Sequence, residues 1–288
     1  MNKRIKITLF IFLILTLSVS LFGCSNGKKK DEEIEKLFNI GRITHGYAIE
    51  GYKGTSKEVT IPSEYKGYKI KRIARGAFAE KEFIEKVNIP SSIEEINSDA
   101  FARCINLKEI VFNEGIKSIE DGAFSRTRLA KISFPKSLEE IGSNAFHMCK
   151  DLKTVSLNEG LKSISSNAFS SSAIETVTMP STLKNISSSA FARCTNLKSI
   201  YLNKGLQNIG SWAFAGTSIS EITISNSVKS IGANAFSFCN NLTAINCEFS
   251  ETYTKENVDS FEGLFDTDDK YLYEDWKLNK RVHFKKIT

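Results

Sequence analysis

The sequence predicts an elongated α/β solenoid, with short parallel strands stacked into one curved sheet and helical turns and loops on the other side. Two observations carry this. An Ala-Phe pair recurs eight times, its phenylalanine at Phe78, Phe101, Phe124, Phe146, Phe169, Phe191, Phe214 and Phe236, always 22 or 23 residues apart. A period in the low twenties marks one coil of a stacked array, because so short a unit cannot bury its apolar face alone. Each period also holds an apolar–outward–apolar triplet such as Ile110-Val111-Phe112, the alternation of a short strand with one buried face.

In chain order, the first element is not part of the array. Lys3, Arg4 and Lys6 precede a nearly uncharged apolar run, Ile7 to Phe22, which ends in Gly23-Cys24. The segment resembles a bacterial lipoprotein signal, which implies removal of residues 1–23 and lipid attachment at Cys24. The run is also long enough for an uncleaved membrane anchor. Both readings place the chain from residue 25 onward outside the cytoplasm, held to the membrane. Residues 24–44 then read as a lipidated tether and N-terminal segment, with Lys28, Lys29 and Lys30 beside anionic headgroups.

Residues 45–247 carry the repeats. The strands are expected at Val87–Ile89, Ile132–Phe134, Val155–Leu157, Val177–Met179, Ile200–Leu202 and Ile222–Ile224. A second extended piece, such as Leu161 to Ile164, sends two aliphatics inward. The residue before Ala-Phe is Gly76, Asp99, Gly122, Asn144, Asn167, Ser189, Trp212 or Asn234. Seven of these eight are helix N-cap types, so Ala-Phe is expected to open a helical turn with the phenylalanine as core filler.

The coils alternate. Cys104, Cys149, Cys194 and Cys239 lie 45 residues apart and mark every second coil, whose strands end in Asn113, Asn158 or Asn203. The prolines, Pro62, Pro90, Pro135 and Pro180, end strands of the other kind, and the intervening coils have a loop one residue shorter. Cysteines two coils apart lie about 10 Å from each other, against about 7 Å for a disulfide. They therefore cannot pair with one another and read as buried small hydrophobes; a bond between Cys239 and Cys247 stays open.

The string from Ile89 to Leu107, Ile-Pro-Ser-Ser-Ile-Glu-Glu-Ile-Asn-Ser-Asp-Ala-Phe-Ala-Arg-Cys-Ile-Asn-Leu, resembles the BspA-like class of leucine-rich repeats. The pattern returns at Met179–Leu197, and Tyr47 to Thr55 is similar to how such arrays begin. Lys81 stands at the cysteine position of the first coil, and Ser225 replaces a proline. The resemblance implies a cell-surface or secreted leucine-rich-repeat protein, with adhesion to matrix proteins or other cells among the roles of some members. It carries no residue-level ligand motif.

Composition narrows the function. The chain has 39 basic and 33 acidic residues; residues 1–23 hold three of the former and none of the latter, leaving +3. That is too small and too dispersed for a nucleic-acid footprint. His45, His147 and His283 form no metal set, Asp266-Thr-Asp-Asp lacks calcium-loop spacing, and no nucleophile elbow or phosphate loop is present. No catalytic residue, metal or cofactor is expected.

The function expected is non-catalytic binding of a protein or cell-envelope ligand, on a broad surface without an obvious pocket. The alternative is a structural spacer of the envelope. The outward strand column, Thr60, Asn88, Val111, Ser133, Ser156, Thr178, Tyr201, Thr223 and Asn246, is broken by an aromatic at Tyr201. Trp212 breaks the cap column, and both are candidate partner contacts. A second outward column, Lys71, Glu94, Lys117, Glu139 and Lys162, alternates in sign. Residues 248–288 are expected to cap the open end.

Overall fold

The computed structural model describes residues 25–247 and the strand at 283–286. The expected signal segment, Cys24 and most of the expected C-terminal cap lie outside the described residues.

The array is a succession of eight coils, numbered here 1 to 8 after Phe78 to Phe236. All eight phenylalanines are fully buried. Their rings form one stack along the axis, with neighbouring centroids 4.8–5.7 Å apart and planes 4–15° from parallel. The inward aliphatics of both extended pieces pack around that stack, Ile93, Ile96, Leu107 and Ile110 among them. Each ring removes its surface from water only because a coil lies on either side, so the core is continuous and the coils are mutually dependent.

The strands appear where expected to within a residue, at Lys86–Ile89, Lys131–Ser133, Thr154–Ser156, Thr176–Thr178, Ser199–Tyr201 and Glu221–Ile224. The single curved sheet expected from them does not form. This face divides into sheets of three, four and three strands. The continuous sheet, of eleven strands, lies on the other flank and consists mainly of the second extended pieces, such as Glu95–Ile96, Ser118–Ile119 and Ser163–Ile164.

Loop length explains the division. Strands entered through the longer loop pair fully with the preceding one: Lys86–Ile89 with Glu109–Phe112 over four residues, Lys131–Ser133 with Thr154–Ser156 over three. Strands entered through the shorter loop do not. Thr176–Thr178 retains one pair with its predecessor, and Lys131–Ser133 and Glu221–Ile224 each begin a new sheet. The 45-residue double unit is thus visible in the hydrogen bonding. Asparagine side chains tie its halves: Asn113 Nδ2 donates to the Ile89 carbonyl and Asn203 Nδ2 to the Pro180 carbonyl, each at 2.7 Å.

The Ala-Phe segments are not helical. The residue before each pair holds left-handed backbone, φ 56–65°, and so does the residue two after each phenylalanine, φ 58–68°. Between these two reversals the segment is a run of tight turns bonded to its neighbours. Each phenylalanine N–H of coils 1–7 donates to the alanine carbonyl of the next coil at 2.7–2.8 Å. Asn, Asp and Gly suit helix N-caps, but Gly, Asn and Asp also tolerate φ above zero, and here that second property decides. The one helix among the described residues lies elsewhere.

That helix, Ser25–Leu37, and the hairpin of Phe38–Ile43 with Gly46–Tyr52 form the N-terminal segment before the repeats, with Lys28, Lys29 and Lys30 exposed. Ile34, Phe38 and Tyr52 are buried, and the Tyr52 ring stacks on Phe78 at 5.5 Å. The hairpin feeds directly into the long sheet through Tyr68–Ile73. It closes the end of the phenylalanine stack that would otherwise face water. Glu35 joins the cap by accepting from the Tyr65 hydroxyl and pairing with Lys66 at 3.1 Å.

Each repeat cysteine has a specific place. Its Sγ donates to the phenylalanine carbonyl one coil earlier, at 3.0–3.2 Å. In three coils it also meets the hydroxyl that replaces cysteine in the preceding coil: Thr127 with Cys149, Ser172 with Cys194, Thr217 with Cys239. All four thiols, Cys239 included, are free. Burial pushes Cys104 up to about 12 and Cys149 and Cys194 up to about 11, so these sulfurs stay protonated.

Candidate functional site

Two surfaces interrupt the regularity of the array, and they lie on different faces. On the strand face, Thr178 pairs with Tyr201 in register, and Tyr201 is 60% exposed. Its outward column is paired in register within each sheet, Thr60 with Asn88 and Val111, Ser133 with Ser156, and Thr223 with Asn246, and is interrupted where the sheets divide. The neighbours of Tyr201 in that column are short and polar, so the ring stands alone. The charged column sits on the flank sheet, where Glu94 bridges Lys71 and Lys117 at 3.1 and 3.3 Å. Lys holds the Glu94 carboxyl below its usual range, and the ladder is a solvated one.

On the turn face the expectation of a surface without a pocket does not hold. A groove of about 800 Å³ runs along coils 4 to 8, a volume within the ordinary range of ligand sites. Its shape follows from three residues per coil: the one before Ala-Phe, the one after, and the next. In coil 5 these are Asn167, Ser170 and Ser171, all short. His147 and Met148 of coil 4 stand at one end, and Trp212 of coil 7 with Phe238 of coil 8 at the other. Between them Gly216, lacking a side chain, leaves room beside Arg193, whose Cα and Cγ lie 3.7 and 3.8 Å from where a Cβ would sit.

The two aromatics form a shelf. Their ring centroids are 6.3 Å apart and their planes 19° from parallel, with Phe238 45% exposed. Both occupy left-handed backbone, φ 60° and 59°, where bulky side chains are rare. Charge in the groove is one-sided. Arg193 is exposed and makes no ion pair or side-chain hydrogen bond among the described residues, and no carboxylate lines the walls. His147 is held neutral by burial and by Arg126, its pKa lowered, and its buried Nδ1 has no partner among the described residues.

Trp212 therefore lines this groove, and Tyr201 does not. Phe238 and Arg193 escaped the sequence reading. Their signal was the column two places after each phenylalanine: Glu80, Arg103, Arg126, Met148, Ser171, Arg193, Gly216, Phe238. In it the ion-paired Arg103 with Glu80, 2.9 Å apart, gives way to an unpaired arginine and an aromatic.

The family model for the BspA type leucine-rich repeat region matches residues 71–194 and 162–266, with six copies. The chain belongs to this family. Solved structures share the leucine-rich-repeat fold. A T. pallidum leucine-rich repeat protein is 27% identical, with 80% of this chain and 94% of that one covered and a TM-score of 0.61. A leucine-rich repeat protein from Bacteroides ovatus is 21% identical (73% and 70% covered, TM-score 0.53), and one from Eubacterium ventriosum 22% (72% and 64%, TM-score 0.52). At that identity the latter two speak for the fold alone. No curated protein matches the chain.

Proposed function

We propose that this BspA-type protein is a non-catalytic, lipid-anchored surface protein whose solenoid binds a protein or cell-envelope ligand, in the manner of an adhesin. The observation that carries the reading is the turn-face groove, where an aromatic shelf and an unpaired arginine interrupt an otherwise uniform array. Family membership supports a binding role, since stacked repeats offer extended surfaces for partners. Cys24, reading as the lipid attachment point, supports an extracytoplasmic location. Tyr201 is the second candidate contact, on the strand face.

The test is capture by the full chain, purified in detergent, of envelope fractions and matrix proteins, compared with Trp212→Asn and Tyr201→Ala. Saturable capture lost in either variant supports the reading. Absence of capture from every fraction leaves a spacer as the better description. The anchor is tested separately: palmitate labelling lost in Cys24→Ala supports it, and labelling that persists overturns it.

A further inference from the structure

We infer that the turn-face groove is a saccharide site for an acidic glycan, with a sugar ring on the Trp212–Phe238 shelf and a carboxylate on Arg193. The inference rests on the binding role proposed above and adds the seat and chemical class of one ligand.

The groove floor excludes one common mode of recognition. Around the floor, the N–H groups of Asn167, Phe169 and Ser171 donate to coil 6, and those of Ser189, Phe191 and Arg193 to coil 7. The backbone donors are spent on the neighbouring coil. An extended peptide therefore finds no edge to pair with, as strand addition requires. Whatever binds must be read by side chains.

Those side chains have a consistent chemistry. Asn167, Ser171 and Ser189 offer short donors and acceptors suited to hydroxyl groups. Trp212 and Phe238 offer nearly parallel apolar faces, which match the flat C–H face of a pyranose ring. Arg193 offers a planar fork for a carboxylate, and the absence of acidic lining gives an anion no competitor. Four coil steps of about 4.8 Å make the groove about 19 Å long, room for an oligosaccharide and not only one sugar.

The aromatics also stand against local backbone preference. At the Trp212 position the other coils use Gly, Asp, Asn or Ser, residues better suited to the turn. A tryptophan there is not what the fold asks for, and such local disagreements are where binding residues are found.

The test uses the full chain in detergent with Trp276→Phe, leaving Trp212 as the single tryptophan. Polygalacturonate and hyaluronan oligomers are titrated against its fluorescence, with dextran and chitin oligomers as neutral controls. The expected result is a saturable change with the uronates, at least tenfold weaker for the neutral sugars, for Arg193→Gln and at 0.5 M salt. Ser171→Phe fills the groove, leaves Trp212 as the single tryptophan, and should abolish the response. That variant keeps the fold because the same left-handed position already carries Met148, Arg193 and Phe238, and circular dichroism confirms it.

No response to any uronate, equal response to neutral sugars, or unchanged affinity in Arg193→Gln overturns the inference. So does an acidic peptide that binds the groove in place of the uronates. If envelope capture persists while the uronates fail, the binding role stands and the glycan site falls.

Discussion

Trp212 and Phe238 stack across one coil step, 6.3 Å between ring centres, and both do so from left-handed backbone. The pairing places two opposing terms at one position. A non-glycine residue in that conformation costs about 1–2 kcal/mol, and an aromatic pair returns about 0.5–1.5 kcal/mol. Trp212→Asn removes the stack and also relieves the backbone, since asparagine holds this place in coils 4, 5 and 8. The expected change in unfolding free energy is within about 1 kcal/mol by urea titration. Ligand capture should be lost over the same comparison. A variant that unfolds outright would mean that the shelf is part of the core.

The phenylalanine stack behaves in the opposite way. Phe146 is fully buried between Phe124 and Phe169, each 5.3 Å away. Phe146→Ala opens a void that the two flanking rings cannot close without breaking their own coils. The expected loss is about 3–5 kcal/mol by chemical denaturation. A loss below about 1 kcal/mol would show that the coils collapse around the gap.

The stack and the cysteine spacing were legible because eight repetitions average out local ambiguity. A single coil would not have distinguished Phe101 from an ordinary core residue. What was not legible turned on residue types with two uses. Asn144 and Asn167 fit a helix N-cap and a left-handed turn equally well, and only the coil-to-coil bonds choose between them. Sheet continuity depended on a single deleted loop residue, whose effect on pairing is geometric. The N-terminal cap was hidden because Ile34 stands alone in a charged stretch, the Leu37-Phe38 pair after it is too short to carry a period, and Phe38's partner Phe78 lies forty residues on. The groove arises between coils, so its walls are adjacent only after stacking.

Cys104, Cys149, Cys194 and Cys239 should be unreactive to iodoacetamide in the native state and all react after unfolding. Their thiolates are disfavoured by burial, and no solvent path is evident in a fully packed coil. Mass spectrometry of the Cys24→Ala, Cys247→Ala chain reads this directly. Labelling of Cys149 or Cys194 at native pH, without unfolding, would contradict their placement.

The same thiols set an alkaline limit. Between pH 9.0, the ordinary thiol value here, and about 11, the unfolded chain releases protons that native Cys149 and Cys194 retain. The native state then binds more protons than the unfolded one, so stability falls as pH rises through that window. The full slope is about 1.4 kcal/mol per pH unit for each thiol. Below pH 8 their contribution is flat. Urea midpoints should therefore drop between pH 9 and 11, and drop less steeply in Cys149→Ala/Cys194→Ala. An unchanged slope would assign the alkaline loss to lysines and Tyr65 instead.

The N-terminal cap gives the last prediction. Phe38 packs edge-on to Phe78 at 6.5 Å and against Tyr52 at 5.3 Å, and Ile34 is buried beside them. In a stacked array, loss at an end exposes only the terminal coil, whereas loss in the middle divides the core. Phe38→Ala should therefore cost about 3 kcal/mol or less, below the mid-array Phe146→Ala. Amide exchange should localise its effect to residues 38–84, with the backbone of coils 5 to 8 as protected as before. Uniform loss of protection along the whole array would mean that the eight coils unfold as one unit and that the cap is no separate end.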